Sequence, residues 1–515
     1  MTRKKLPIGV QTFRKIRTDD YYYVDKTPFI LDLIAEGSYY FLSRPRRFGK
    51  SLLVDTIKEL FEGNRDLFVG LAAENRWDWS IRHPVLAFSF AGGGVSSLDG
   101  LRASLEDQLA ALEKQWEVIA PAAPTGVRFK RLVRAARELS GQSVVILVDE
   151  YDKPILDALA DRETARVNRN ALRDFYSVIK DNDAYVRFAF LTGVSKFSKA
   201  GIFSGLNNLL DITVDARWSA LCGYTEADLY AVFAPEMEGV DRDKVRRWYD
   251  GYNWTGERVY NPFDILLFFA KQTFAPYWFE TGTPTFLVDL LLERGVFTPA
   301  LDQIIASEDL LSVFDVDTMR VEALLFQTGY LTVDRVEDMA GSRYFHLAYP
   351  NREVYQSLNI CLAAGFMGDA SRENAARVVL YRKLQSNDFP ALEAHFQALF
   401  AAIPFDWHRK NEIARYEGYY ASVFYSHFAA LGLDIRVEDA TSRGRVDMTV
   451  FFEGRVYIFE FKVVDQEPEG RAMDQLVARD YAAKYRSRGE PVYLIAVEFN
   501  REQRTVVGFE ARTAD

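Results

Sequence analysis

The 515-residue sequence predicts an α/β protein of several domains, with an N-terminal parallel sheet covered by helices, a mainly helical middle region and a second α/β domain at the C-terminus. Residues 1–220 alternate short apolar runs with helical patterns, as parallel sheets with covering helices do. The run at residues 143–148 is apolar after Ser143, which is typical of a strand buried on both faces. Near the C-terminus, two β-rich runs flank Glu453 and Gly454, a two-residue hairpin signal.

The first chemical signal is a predicted strand, loop and helix at residues 38–61. A P-loop needs backbone N–H groups that point at a phosphate, a lysine that reaches the β- and γ-phosphates and a hydroxyl for Mg²⁺. Gly49, Lys50 and Ser51 meet these needs, but Arg44 stands where the motif has its first glycine. The alternative is a basic turn on the surface. The loop residues predicted to contact nucleotide are Arg46, Arg47, Phe48, Gly49, Lys50 and Ser51.

Acidic residues follow the predicted strand at residues 143–148. Asp149 and Glu150 come directly after it, at the carboxyl end, where parallel sheets bind ligands. Asp149 is predicted to bind Mg²⁺ and Glu150 to polarise the attacking water, as in Walker-type NTPases. A later strand, residues 186–191, leads to Thr192, which is predicted to contact the γ-phosphate. The alternative for this segment is a glycine turn with polar residues.

The middle of the chain is predicted to contain a lid, a small domain and a linker. The lid is mainly helical with Tyr- and Trp-rich turns. The small domain has helical runs and then two short strands around a polar turn at residues 337–341, as in a winged helix, with a plain hairpin as the alternative. The predicted segments, from P-loop domain through lid, winged-helix-like region and helical linker to the C-terminal domain, are 1–224, 225–292, 293–353, 354–409 and 410–515.

Counting outward from the C-terminal turn places two carboxylates opposite each other. If Glu453 and Gly454 form the loop, Asp447 pairs with Glu460. Directly opposed residues have Cβ atoms about 4.5–5.5 Å apart. Because side chains alternate along a strand, Lys462 shares the face of Glu460. The hairpin therefore predicts an acidic pocket with an adjacent ammonium group.

The chemistry of this pocket points to a hard divalent metal. Its face is otherwise apolar, and carboxylates in such a place are unfavourable unless they are paired or bind a cation. Oxygen ligands without a nearby His or Cys favour Mg²⁺ or Mn²⁺ over Zn²⁺. The alternative is that the charges line the solvated face of an antiparallel sheet.

At these residues the sequence resembles the PD-(D/E)XK nuclease superfamily, whose core motif is an Asp on one strand and Glu-x-Lys on the next. The resemblance implies that Asp447 and Glu460 hold the metal, while Lys462 orients or activates the attacking water and stabilises the charged transition state. It also implies an upstream helix acid, supplied by Glu417, and a later polar motif, supplied by Gln475. For these last two residues the alternative is an ordinary side chain on an exposed helix face.

Most of the chain resembles the bacterial AAA-ATPase-like family, in which an altered first glycine is typical and a C-terminal PD-(D/E)XK domain is frequent. The resemblance implies an ATP-binding protein whose nucleotide state controls a metal-dependent nuclease acting on DNA or RNA, in a context of defence against foreign nucleic acid. The alternatives are an ATP-dependent binding or signalling switch that does not cut, and a nuclease with a vestigial ATPase domain. The segments that carry the resemblance are residues 22–27, 44–51, 149–152, 191–196, 251–254, 260–263 and 349–354.

Composition is consistent with a large cytoplasmic enzyme. Cys222 and Cys361 are too few for a disulfide framework, which suits a reducing compartment. The sequence has no uninterrupted apolar run of about 18 residues, so no membrane span is predicted. A net charge of −10 argues against indiscriminate binding to polyanions. Assembly into a homo-oligomer stays open.

Overall fold

The structure is a computed structural model that describes residues 3–118, 122–196, 206–281, 285–311, 320–403, 417–441, 444–465 and 467–514. Within these residues the chain forms two compact units. The first consists of Met1–Trp278 and Ile304–Asn351, and the second of Phe279–Gln303 and Arg352–Asp515. The predicted α/β class is confirmed, since each unit is built on a five-stranded sheet in the described part of the chain. The predicted division into five segments stays a prediction. The two units that the structure shows do not follow its boundaries, because residues 279–303 belong to the second unit and residues 304–351 to the first.

A parallel sheet forms the centre of the first unit. Its strands are β1 (Tyr39–Ser43), β2 (Val85–Ser89), β3 (Val144–Asp149), β4 (Val186–Gly193) and β5 (Leu210–Asp211). Their spatial order is β2-β3-β4-β1-β5, and the neighbouring strands run parallel. Every residue of β3 is buried, as its apolar sequence predicts. Because β4 lies between β1 and β3, the segments that follow β1 and β3 flank the end of β4 at one edge of the sheet.

Helices cover this sheet and extend the unit beyond it. Phe129 and Phe175, on two of the helices, stack with ring centroids 4.8 Å apart, and Phe88 of β2 contacts both rings. A second cluster of buried aromatic side chains, including Phe233 and Tyr249, forms the core of the later helices. The helices are α1 (Phe13–Thr18), α2 (Thr27–Glu36), α3 (Lys50–Phe61), α4 (Ala73–Arg76), α5 (Leu98–Gln115), α6 (Thr125–Ser140), α7 (Lys153–Leu156), α8 (Arg162–Asp181), α9 (Glu226–Val232), α10 (Arg242–Tyr249) and α11 (Pro262–Lys271).

The chain then contributes α12 (Thr285–Glu293) to the second unit and returns to the first at residue 304. The returning segment forms an antiparallel sheet with the order β6-β8-β7. Its elements are β6 (Ile305–Ser307), α13 (Glu308–Leu311), α14 (Val321–Thr328), β7 (Thr332–Met339) and β8 (Ser342–Ala348).

The predicted polar turn at residues 337–341 is wrong in its extent. Strand β7 continues to Met339, and the turn consists of Ala340 and Gly341. Both turn residues have positive φ, 50° and 82°, which a tight two-residue turn of the I′ type requires. The polar residues before the turn belong to the exposed part of β7, where polar side chains are stable on a strand.

The second unit contains a mixed sheet with helices on its two faces. The spatial order of its strands is β13-β12-β11-β10-β9, with β11 and β12 parallel and the other pairs antiparallel. The helices are α15 (Arg352–Met367), α16 (Ala370–Ser386), α17 (Phe389–Ala401), α18 (Glu417–Ala429), α19 (Arg471–Ala478) and α20 (Ala483–Arg486). The strands are β9 (Asp434–Thr441), β10 (Gly444–Phe452), β11 (Arg455–Val464), β12 (Val492–Asn500) and β13 (Val506–Thr513). Across the residues described, no helix combines the length and the apolar character needed to cross a membrane.

A pair of histidines joins α17 to α18 in the core of the second unit. The Nε2 atoms of His395 and His427 lie 3.0 Å apart. Burial, together with the charge of Lys383, lowers the pKa of His395 to about 4. Burial, His395 and Arg377 lower the pKa of His427 to about 3. Both imidazoles are therefore neutral in the folded protein at physiological pH.

We expect this pair to make the second unit sensitive to mild acid. The unfolded histidines have a pKa of about 6.5, so below that pH the unfolded state takes up protons that the folded state does not. The stability present above pH ~6.5 is lost as pH falls towards the folded pKa values, by about 1.4 kcal/mol per pH unit for each histidine. Thermal denaturation at pH 7.5 and pH 5 measures this loss. A His395→Leu/His427→Leu variant should show a smaller drop in Tm, and an equal drop would contradict the assignment.

Candidate functional site

The loop between β1 and α3 is held from within by Arg44. The guanidinium of this residue is 0% exposed and donates to the carbonyls of Ser43, Thr213 and Trp218 at 2.8, 2.9 and 3.0 Å. The ring of Trp254 lies 4.0 Å from it. Burial lowers the pKa of Arg44 to about 10, so the group is still charged at neutral pH. The arginine at the first-glycine position is thus an internal anchor, and the surface-turn alternative is wrong for it.

Arg44→Gly, which restores the glycine of the common motif, should therefore destabilise the first unit. The change leaves three buried carbonyls without a charged donor and removes the contact with Trp254. The expected loss is on the order of 3–5 kcal/mol. Thermal denaturation measures it, with Arg46→Gly as the matched control, because Arg46 is exposed in the same loop. Equal melting temperatures for the two variants would show that the anchor has no energetic role.

Aromatic side chains hold the middle of the loop. The ring of Phe48 is 1% exposed and contacts Tyr252 and Trp254, with centroids 4.7 and 5.4 Å apart. The indole N–H of Trp278 donates to the carbonyl of Arg46 at 3.0 Å. The side chain of Phe48 is therefore part of the packing, which leaves its backbone as the group that could face a nucleotide.

Arg47 is exposed beside this packing, and its guanidinium lies 4.9 Å from the ring of Phe263. The segments 251–254 and 260–263, which carry part of the family resemblance, thus supply residues that pack around the loop.

Lys50 begins α3 at the end of the loop. The preceding residues Arg47 and Gly49 have φ values of 67° and 88°, and Gly49, the N-cap residue, has no side chain to cap the helix. The backbone N–H groups of the first turn are the natural binding site for an anion. Lys50 Nζ donates to the carbonyls of Arg44 and Pro45, both at 2.9 Å. The ammonium thus lies against the inside of the loop, where phosphates would bind.

Two carboxylates lie at the carboxyl end of β3, at the same edge of the sheet: Asp149 is the last residue of the strand and Glu150 directly follows it. Asp149 is 6% exposed, and its Oδ1 atom is buried without a hydrogen-bond partner among the described residues. Such an oxygen is unfavourable unless a cation or water satisfies it, so Asp149 fits a site for Mg²⁺ or its water. Burial raises the pKa of Glu150, and the charge of Lys50 opposes this shift. Ser51 is half-buried at the start of α3 and stays a predicted Mg²⁺ ligand.

The end of β4 is organised by a residue that sequence reasoning did not single out. Asp152 accepts hydrogen bonds from the backbone N–H groups of Val194 and Ser195, at 3.1 and 2.6 Å, and from the Ser195 hydroxyl at 2.6 Å. The available signal in the sequence was that Asp152 is a further acidic residue just beyond the end of β3.

Thr192 is fully buried and its hydroxyl donates to the carbonyl of Leu42 at 2.9 Å. This side chain joins β4 to β1, and its contact with a γ-phosphate stays a prediction.

The hairpin of β10 and β11 has the register predicted from its turn. Pairing extends from Phe452 opposite Arg455 to Met448 opposite Phe459. The two turn residues have positive φ, 45° and 73°, as a type I′ turn requires. The two carboxylates predicted to face each other follow directly beyond the last of these pairs.

These carboxylates lie in a polar cluster at the end of the hairpin. Asp447 accepts a hydrogen bond from the backbone N–H of Phe461 at 2.7 Å, so its carboxylate is directed at β11. Glu460 is 1% exposed, and its Oε1 accepts from Lys462 Nζ at 3.2 Å. The same oxygen accepts from Gln475 Nε2 of α19. The structure thus brings Gln475 to the predicted pocket, where the sequence left an exposed helix position as the alternative.

The two faces of β11 differ as alternation predicts. Phe459 and Phe461 contact Phe424 of α18 on one face. On the other face, Val456 and Ile458 belong to a buried cluster with residues of α19. Because Glu460 is buried on this apolar face, the solvated-face alternative is wrong for it.

Two further acids bear on this site. Helix α18 begins at Glu417, but the side chain of that residue lies outside the described part of the chain, so its role stays a prediction. Glu498 on β12 is 3% exposed and is in register with Lys462 on β11. Sequence reasoning missed it, although a lone carboxylate in the apolar run 492–499 was a usable signal.

The donor set of the hairpin fits Mg²⁺ or Mn²⁺. Mg²⁺ usually keeps several waters and binds one or two carboxylates together with phosphate oxygens. Asp447 and Glu460 supply two carboxylates from neighbouring strands. In the portion of the chain that the structure describes, no group of three or more His, Cys, Asp or Glu side chains could hold a metal. Waters and phosphate oxygens of a substrate would complete such a coordination shell.

Known protein families match both the N-terminal region and the C-terminal region of the chain. The family AAA-ATPase-like, described as predicted AAA-ATPase, matches residues 7–203, and the PD-(D/E)XK nuclease superfamily matches residues 415–509. An uncharacterized protein in the vnfD 5'region of Azotobacter chroococcum mcd 1 is 59% identical over 510 residues, which cover 99% of each chain. No solved structure matches. The two family matches include the loop after β1 and the hairpin of β10 and β11.

Proposed function

Because the chain belongs to the AAA-ATPase-like family and carries a C-terminal domain of the PD-(D/E)XK nuclease superfamily, we propose that it binds and hydrolyses ATP and that its nucleotide state controls a metal-dependent nuclease. The observation that carries the nuclease assignment is the buried Glu460, which accepts from Lys462 and Gln475 beside Asp447. A carboxylate in an apolar core with two donors and a second acid nearby is typical of a site that binds a cation.

The chemistry of cleavage assigns a role to each of these side chains. When bound, Mg²⁺ or Mn²⁺ polarises the phosphate and lowers the pKa of the attacking water. Asp447 and Glu460 would hold the metal. Lys462, 3.2 Å from Glu460, would orient the water and stabilise the negative charge that develops on the phosphate. Gln475 would keep the Glu460 carboxylate in one orientation.

At the nucleotide site, Lys50 would exchange two loop carbonyls for phosphate oxygens. Hydrogen bonds between charged groups are stronger than those to neutral carbonyls, so this exchange favours ATP. Asp149 would bind Mg²⁺ through its buried oxygen, and Glu150 would polarise the water that attacks the γ-phosphate.

Cleavage assays with and without nucleotide test the proposal. The protein is incubated with labelled single- and double-stranded DNA and RNA, with Mg²⁺ or Mn²⁺, in the presence or absence of ATP. We expect cleavage of at least one substrate, loss of cleavage with a chelator and a change of rate with ATP. Binding without cleavage under every condition would support the ATP-dependent switch instead. A rate that ATP does not change would indicate a vestigial ATPase domain.

Control by ATP also suggests a biological context. A nuclease without control would damage the host's own nucleic acid, so we propose a cytoplasmic role in defence against foreign nucleic acid. Phage plaque counts on cells that express the protein or its Glu460→Gln variant test this role. Equal protection by both proteins would exclude cleavage as its basis.

A further inference from the structure

Glu498 is a buried carboxylate on β12 with no role in the proposed chemistry. It is 3% exposed and lies in register with Lys462 in the parallel pair of β11 and β12. The residues that precede it on the same face of β12, Leu494 and Ala496, belong to the apolar cluster under α19. A carboxylate at this position is unfavourable unless specific donors satisfy it.

The donors are backbone N–H groups at the start of α19. Glu498 Oε2 accepts from the N–H of Glu469 at 2.6 Å and of Gly470 at 3.2 Å. Oε1 accepts from the N–H of Ala472 at 3.3 Å. Gly470 is the N-cap residue of α19 and has no side chain to cap the helix. Glu498 therefore supplies, from a neighbouring strand, the acceptor that this helix terminus lacks.

The backbone around Glu498 is shaped to accommodate this contact. The pairing of β12 and β13 shifts register between Glu498 and Phe499, as at a β-bulge. Glu498 is paired with Gly508, where a Cβ atom would lie 3.2 Å from the Cβ atoms of both Glu498 and Pro468. A side chain at position 508 would crowd both residues. Bulges of this kind occur next to active sites, where they direct a side chain.

The capped helix carries Gln475 one turn beyond Ala472. Helix α19 has 8 residues, so its position depends strongly on how its ends are held. Gln475 Nε2 donates to Glu460 Oε1, the oxygen that also accepts from Lys462. A shift of the helix start would move Gln475 away from this oxygen.

We propose that Glu498 is a positioning residue of the nuclease site, which holds the start of α19 and so keeps Gln475 against Glu460; this inference rests on the proposed nuclease function. Both carboxylate oxygens of Glu498 accept hydrogen bonds from backbone N–H groups. That use of the oxygens favours positioning over metal ligation. Glu498 acts on the reaction only through Gln475 and Glu460.

A double-mutant cycle with Glu498→Ala and Gln475→Ala tests the inference, with Mn²⁺ affinity by calorimetry and cleavage rate as the two measurements. Glu498→Ala should weaken Mn²⁺ binding or cleavage by about 10- to 100-fold, the usual range for groups that orient metal ligands. Gln475→Ala should add little in the Glu498→Ala background, because both changes break the same link. Glu498→Gln keeps an acceptor oxygen and should restore part of the loss. Glu502→Ala, an exposed carboxylate just after β12, is the matched control.

The outcomes separate the inference from the proposed function. If the unaltered protein cuts and Glu498→Ala equals it, or the two substitutions act additively, positioning by Glu498 is wrong and the nuclease function stands. If the unaltered protein binds Mn²⁺ without cutting, the nuclease function fails, and the non-additive loss of Mn²⁺ affinity still supports positioning. If it neither binds Mn²⁺ nor cuts, both fail. Melting temperatures identify a variant that has lost its fold, and Glu498→Gln then takes the place of Glu498→Ala in the cycle.

Discussion

Asp447→Asn, Glu460→Gln and Lys462→Met are each expected to reduce phosphodiester cleavage by at least about a hundredfold, the size of effect seen when charged transition-state or metal contacts are removed. The three replacements keep the size of the side chain. Asn at 447 can still accept from the N–H of Phe461, and Gln at 460 can still accept from Gln475, so the fold should be retained. Cleavage rates with Mn²⁺ measure the effect.

The three variants should differ in their affinity for metal. Removing the charge of Asp447 or Glu460 deletes a ligand charge and should weaken Mn²⁺ binding. Lys462→Met deletes a cation 3.2 Å from Glu460, so metal affinity should stay the same or rise. Calorimetry with Mn²⁺ makes the comparison. Glu453→Gln, in the exposed turn of the same hairpin, is the control. Cleavage by Asp447→Asn at the rate of the unaltered protein would remove the basis of the nuclease assignment.

Lys50→Ala is expected to weaken ATP binding by about 10- to 100-fold, since it deletes a charged donor to the phosphates. Calorimetric titration with Mg²⁺ and ATP measures the affinity. Lys58→Ala, on the same helix but two turns from the loop, is the matched control. An affinity equal to that of the unaltered protein in Lys50→Ala would show that ATP does not bind in this loop.

Glu150→Gln should separate binding from hydrolysis. The amide keeps the volume of the side chain but cannot take a proton, so ATP affinity should be retained while the hydrolysis rate falls by about a hundredfold or more. Burial raises the pKa of Glu150, the direction that makes a carboxylate a better base near neutral pH. Phosphate release measures hydrolysis. A rate that is not reduced would assign the base to a different residue.

The hydrogen bonds of Arg44 and the contact between Gln475 and Glu460 illustrate what could not be predicted. In the sequence, Arg44 is visible only as a departure from the P-loop motif. Its anchoring role cannot be predicted there, because two of its hydrogen-bond partners, Thr213 and Trp218, lie 169 and 174 positions away. The family resemblance implied that Gln475 belongs to the site, but its contact with Glu460 depends on how α19 packs across β11 and β12. Neither contact has a local signal, since both arise when elements distant in sequence are packed together.

The sequence by itself determined the elements whose geometry is local: the two-residue turn at Glu453 and Gly454, the register that follows from it, the buried strand β3 and the presence of a helix after the loop that follows β1. Backbone dihedral preferences and side-chain alternation act over a few residues, so they can be read from the order of residues alone. Only the tertiary structure decided the place of β4 between β1 and β3 and the capping of α19 by Glu498. Those arrangements depend on which apolar faces are buried together, and that choice is made by packing across the whole unit rather than by any one segment.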